Sequence, residues 1–284
     1  MRKIKHYEGD CLKFHEAVLE RKESDSLKKD IKAIAADIKG QFEDYDEKFA
    51  HDDLPALSAL NLNQATKDKL KSLYDYHALM FRKLRKGLTT DENNRQCVVC
   101  PNCTINTINS FDHYLPQSEF AEYADNPINL IPSCTECNGH KSSVWRNSGK
   151  RLFLNLYIDD LPGEQYLFVT LTIADDKRSV DAKFEVKNPN GVIDADLYKK
   201  IDYHYDKLEL CERFRAHRED VLSGLANEIF KLKDVLADDV IKSVVMSDVA
   251  NDRKRFGYNY WKAILKEAVC NNQDVFDFFK NKPY

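Results

Sequence analysis

Residues 97–141 read CVVCPNCTINTINSFDHYLPQSEFAEYADNPINLIPSCTECNGHK, and this stretch decides how the rest of the chain is understood. It holds two C-x2-C pairs, Cys100-Pro101-Asn102-Cys103 and Cys134-Thr135-Glu136-Cys137. Each pair can offer two thiolates to adjacent tetrahedral positions of one Zn²⁺. Cys97-Val98-Val99-Cys100 is a competing first pair, so one of Cys97 and Cys103 is surplus. Pro-Asn suits the tight turn of a zinc knuckle, which favours Cys100 with Cys103. A closed four-thiolate site has no open position for chemistry, so any catalysis must come from the residues between the pairs.

Those residues include Phe111-Asp112-His113-Tyr114-Leu115-Pro116 and Asn129-Leu130, with Asn138-Gly139-His140-Lys141 directly after the last cysteine. A carboxylate beside a histidine, with a further oxygen ligand near, suits hydrolysis of a phosphodiester with one hard cation. Oxygen donors bind Mg²⁺ or Mn²⁺. An imidazole titrating near neutrality can take a proton from water. An Asp-His dipeptide alone is weak evidence; between two metal-binding pairs it becomes specific.

The order C-x2-C, Asp-His-x-x-Pro, Asn-Leu and C-x2-C-Asn-x-x-Lys resembles the HNH endonuclease superfamily. The resemblance implies a small ββα-metal element, with His113 as general base and Asp112 and Asn138 as ligands of a catalytic Mg²⁺ or Mn²⁺. Asn129 would hold the loop that aims His113. Asn138 stands where many members have histidine. His140 is an alternative ligand, although two residues further on it points to another side of the helix. More loosely, the helical flanks and the segment Gly257 to Trp261 resemble HNH subunits of bacterial anti-phage systems such as Septu, in which a separate ATPase is the partner. No G-x-x-x-x-G-K-[ST] motif occurs here, so nucleotide control is expected from another chain.

Outside this stretch the chain of 284 residues is expected to be mainly α. Leu27, Ile31, Ile34, Ile38 and Phe42 predict one helix over 24–49, with Ser24 as its N-cap. Leu70, Leu73, His77, Met80 and Leu84 predict a second helix over 63–84, ended by Gly87, with His77 as a core-facing or boundary histidine and not a ligand. Alternation in 166–173 and 183–186, with the turn signal Asn188-Pro189-Asn190-Gly191, predicts a short hairpin. Apolar periodicity over 194–236 predicts two helices, and the tail two or three short ones. The expected organisation is a helical arm (1–95), the ββα nuclease core (96–155), and a C-terminal hairpin and helical region (156–284).

With 32% charged residues and no apolar run of membrane-spanning length, the chain is expected to be cytoplasmic and without a membrane. The net charge of −4 argues against a surface that is basic throughout, so contact with DNA must be local. Basic residues concentrate at Arg82-Lys83-Leu84-Arg85-Lys86 and from Lys141 to Arg151. Lys141, Arg146, Lys150 and Arg151 follow the metal helix and are expected along the phosphate backbone. Two further readings keep the same element: a zinc-stabilised scaffold without catalysis, and a nuclease acting on RNA.

Overall fold

In a computed structural model the protein is described for residues 1–281, about half of them helical, with three two-stranded sheets. Two compact units result. One comprises Lys3–Asn102 and Asn106–Asp160; the other runs from Leu161 onward and includes Met1–Arg2 and Cys103–Ile105.

The first unit opens with α1 (Cys11–Glu20), capped by Asp10, whose carboxylate accepts from the Lys13 amide at 2.9 Å. Sequence periodicity did not reveal this helix. The single helix expected over 24–49 is two, α2 (Asp25–Lys32) and α3 (Ala35–Ala50), with Ser24 capping the first. Ile34 leaves helical geometry at φ −112°, and the restart turns Ile38, Phe42 and Tyr45 to the interior. Likewise the expected helix over 63–84 divides into α4 (Gln64–Lys71) and α5 (Leu79–Thr89). Asp75 causes the break: its side chain accepts from the His77 amide at 2.8 Å, an Asx turn that competes with the helix. His77 is therefore exposed in the link and not core-facing. Gly87 does not stop α5, which continues to Thr89. There the Thr89 and Thr90 hydroxyls donate to the Arg85 and Lys86 carbonyls, satisfying the last turn.

Next come β1 (Ser110–His113) and β2 (Leu130–Ser133), antiparallel with Asp112 opposite Ile131 and His113 opposite Leu130. Cys134 then caps α6 (Thr135–Lys141), and a two-residue ribbon, β3 (Arg146–Asn147) and β4 (Lys150–Arg151), follows. This ββα element is held by buried aromatics from the helices before it. The Tyr45 ring meets Tyr123 edge-on at 4.8 Å, and Phe42 lies 6.2 Å from the same ring. A line Phe14, Phe81, Tyr74 ends on the His113 ring.

The second unit pairs β5 (Leu167–Ile173) with β6 (Val180–Val186). The turn joining them lies at 174–179. The Asn188–Gly191 signal instead makes the turn after the hairpin, with Asn190 at φ 58°, leading into α7 (Ala195–Lys207). Three helices, not two, follow the hairpin before residue 236, because Glu209 takes a left-handed conformation between α7 and α8 (Leu210–Ala216), ahead of α9 (Arg218–Leu232). The tail forms α10 (Asp238–Phe256), α11 (Trp261–Asn271) and α12 (Gln273–Asn281). Aromatics of these segments pack into the core: Phe214 stacks on Trp261 at 5.3 Å, and Phe184 packs edge-on to both. No described helix is long and apolar enough to cross a membrane.

Candidate metal centre and catalytic site

The Sγ atoms of Cys100, Cys103, Cys134 and Cys137 lie within 4.8 Å of one another, all buried. A tetrahedral zinc with Zn–S bonds of ~2.3 Å would space its thiolates by about 3.8 Å, so the donor set fits. Backbone donors already point at the sulfurs. The Cys134 amide meets Cys100 Sγ at 3.3 Å, the Ile105 amide meets Cys103 Sγ at 3.4 Å, and the Cys137 amide meets Cys134 Sγ at 3.4 Å. Such donors stabilise thiolate over thiol. Cys97 is buried but outside the cluster, its amide tied to the Thr89 carbonyl. The four cysteines thus form a metal-binding cluster of zinc-like chemistry at the root of α6.

His113 ends β1, where its ring is half-buried and meets the edge of Tyr74 at 4.7 Å. Nε2 lies 2.8 Å from the Ala124 carbonyl, which can only accept, so Nε2 carries the proton. The Gln117 amide meets the same nitrogen at 2.6 Å, and that contact is favourable only with its oxygen turned inward. In this tautomer Nδ1 has the lone pair. Burial pushes the imidazole down to about 4, the Ala124 hydrogen bond opposes this, and the Lys141 charge adds to it. At neutral pH the ring is an uncharged base.

The Ala124 carbonyl is fixed from several directions. It follows a 3-10 turn, Ala121–Tyr123, that packs against α3 and α4. Fully buried Asn129 spends its whole amide on this region. Its Oδ1 accepts from the Leu115 amide (2.8 Å) and the Tyr45 hydroxyl (3.2 Å), and its Nδ2 donates to the Leu115 carbonyl (3.1 Å) and the Tyr123 carbonyl (3.2 Å). Asn129 is therefore a positioning residue with nothing left for a substrate. On the other side Asp125 takes both carboxylate oxygens to His15 Nδ1 of α1 at 3.0 Å, with both residues buried. Ala124, His15 and Asp125 went unnoticed in the sequence; a backbone acceptor has no sequence signature, and the pair is 110 residues apart.

Asp112 is buried on β1, and its Oδ1 receives Lys141 Nζ at 2.9 Å. Burial raises the carboxyl, and the Lys141 ammonium opposes that rise. Asn138, half-buried on α6, donates its Nδ2 to the Phe111 carbonyl at 3.2 Å. Among the described residues neither Asp112 Oδ2 nor Asn138 Oδ1 has a hydrogen-bond partner. Each residue thus keeps one uncommitted oxygen, which fits a hard cation held between β1 and α6. His140 is half-buried on the same helix and joins no metal cluster found among the described residues.

The basic residues after the helix need correction. Lys141 is not on a phosphate edge: it is 2% exposed, and its ammonium also donates to the His113 carbonyl at 2.9 Å. Arg146 is spent on the Pro55 carbonyl (2.8 Å) and the Glu119 carboxylate, with its guanidinium 4.6 Å from the Trp145 ring centre. Arg151 is buried, with a two-pronged pair to Asp159 at 2.7 and 2.8 Å and a further pair to Asp52. Lys141 and Arg151 turn inward, and half-buried Arg146 is held along the surface, because distant carboxylates and carbonyls meet them there. Only Lys150 of the expected four is exposed.

Residues 97–143 match the family model described as HNH endonuclease. Over 232 aligned residues the chain is 24% identical to Protein ea31 of Escherichia phage lambda, covering 77% of each protein. No solved structure matches.

Proposed function

We propose that this chain is a metal-dependent HNH endonuclease that hydrolyses DNA phosphodiester bonds, with His113 as general base. The observation carrying this reading is the Ala124 carbonyl on His113 Nε2, which leaves Nδ1 as the nitrogen that accepts a proton. His113 Nδ1 takes the proton of the attacking water, and Nε2–H stays on the carbonyl, so the ring is oriented in both of its charge states. Asp112 Oδ2 and Asn138 Oδ1 would hold the Mg²⁺ or Mn²⁺. When bound, that cation supplies neutralisation of the charge that builds on phosphate and leaving oxygen. Lys141 holds Asp112 in place and compensates its buried charge. Asn129 fixes the loop after His113, and the cysteine cluster fixes the start of α6 and with it Asn138.

The assay is supercoiled plasmid with Mg²⁺ or Mn²⁺, with and without EDTA, run beside a structured RNA. Nicking or linearisation of DNA that EDTA abolishes is expected. Cleavage of RNA alone would overturn the substrate, and silence on both would favour the scaffold reading. We further propose that the nuclease works in an anti-phage complex with a separate ATPase chain. The looser likeness to Septu-type subunits and the lack of a phosphate-binding glycine loop in this sequence support that reading. Plasmid cleavage unaltered by a genetically adjacent ATPase and ATP would contradict it.

A further inference from the structure

The burial of Lys141 and Arg151 and the pairing of Arg146 with Glu119 leave the proposed nuclease in need of cations for its substrate, and the basic run of α5 provides them. Arg82, Arg85 and Lys86 lie at i, i+3 and i+4 and so share one face of that helix, whereas Lys83 lines a groove on another side. Arg82 and Lys86 are exposed and Arg85 is half-buried. Among the described residues none of the three has a carboxylate partner, in contrast to Arg146 with Glu119 and Arg151 with Asp159.

Arg85 is the informative member. Its guanidinium lies 4.3 Å from the Tyr76 ring centre, and Tyr76 holds it by both its ring face and its hydroxyl. The side chain as a whole is only half-buried, so the rest of its guanidinium can meet an incoming anion while the Tyr76 ring holds it in place. The surroundings place this group beside the catalytic strand. Tyr76 meets Phe111, the neighbour of Asp112, edge-on at 5.8 Å. Tyr74, whose ring touches His113, also feels the Arg85 charge. Arg85 thus lies on Tyr76 and His113 on Tyr74, two positions apart in the same link. A guanidinium stacked on an aromatic face keeps its fork of donors in one plane, the geometry that phosphate oxygens take.

We propose that the Arg82, Arg85 and Lys86 face of α5 seats the backbone of duplex DNA, with Arg85 binding a phosphate near the one cleaved. The proposal rests on the nuclease reading of His113. It also meets the charge constraint, since an acidic chain must bind DNA through a local patch.

The test uses the full chain carrying His113→Ala, so that substrate is bound and not cut, with a fluorescent duplex of about 20 base pairs followed by anisotropy over a salt series. Each neutralised phosphate contributes a slope of about −0.9 in log K against log salt. Adding Arg85→Ala should weaken binding about tenfold or more and reduce the slope by about 1. The triple change Arg82→Ala, Arg85→Ala, Lys86→Ala should reduce it by nearly 3. Arg85→Lys should restore the slope with only part of the affinity, and Lys83→Ala should leave both little changed. Unaltered affinity and slope in the triple variant would overturn the seat, as would failure of the parent chain to bind duplex. Tighter, steeper binding to single-stranded RNA would overturn the choice of DNA. Loss of binding in the triple variant while the wild-type chain cuts nothing would uphold the seat and sink the nuclease reading. Intact binding with active wild-type cleavage would do the reverse.

Discussion

Replacing Asn129 by alanine tests whether the loop after His113 is held as described. The side chain is fully buried and makes four hydrogen bonds, three of them to main-chain groups of Leu115 and Tyr123. At a net ~1 kcal/mol each, their loss amounts to about 4 kcal/mol, and abandoned buried backbone groups push the figure upward. That is a large part of a typical total of ~5–15 kcal/mol. With a urea dependence near ~2 kcal/mol per molar, the midpoint should fall by about 2 M. Zinc release against urea, read with a chromogenic chelator, follows the unit concerned. Under conditions where the variant remains folded and zinc-loaded, displacement of the Ala124 carbonyl should lower kcat about a hundredfold, the cost of misplacing a reacting group by ~1 Å. Asn129→Asp should not rescue, since a carboxylate cannot donate to the Leu115 and Tyr123 carbonyls. A midpoint within about 0.5 M of wild type, or undiminished cleavage, would refute the reasoning.

Other consequences follow from the same geometry. Lys141→Met leaves Asp112 buried without its cation, and the pair's side chains are 2% and 6% exposed, so about 3–5 kcal/mol should be lost. Adding Asp112→Asn should recover part of that loss in urea unfolding; a double variant no more stable than the single would contradict the pairing. Cys97→Ser should retain zinc and Cys103→Ser should lose it on metal analysis of the purified chain, and the opposite result would reassign the cluster. His15 gives a pH dependence: burial disfavours its charge, but Asp125 more than offsets this and raises its pKa. A raised folded value stabilises below the unfolded ~6.5 and loses that contribution as pH rises through the folded value. The wild-type urea midpoint should therefore drop as pH rises above the unfolded ~6.5 and through the higher folded value, with His15→Gln flattening the trend; equal slopes would show that the pair has no such role.

The parts of the site legible in the sequence are those whose geometry is local. Two C-x2-C pairs each set two sulfurs within one turn, and Asp112-His113 on a strand followed by a cysteine-capped helix is a short-range arrangement. Partners brought from far away were not legible. Arg146 and Arg151 follow the metal helix in sequence, yet Glu119, Asp159 and Asp52 decide where they point. Lys141 lies at the end of α6, and only the packing of α6 on β1 shows that it turns onto Asp112. Helix interruptions were hidden for a related reason. Continuous apolar periodicity survives the break at Ile34, and a single Asx turn at Asp75 was enough to separate α4 from α5. The fold class itself, mainly α with a small ββα element and a hairpin, depends on periodicity over long segments and was readable.

The role of His113 as the base is open to chemical rescue. Wild type and His113→Ala, matched for zinc content, are compared on supercoiled plasmid with Mn²⁺, with and without added imidazole. Cutting by wild type, loss in His113→Ala and partial return with imidazole are expected. Full cleavage by His113→Ala without imidazole would contradict that role.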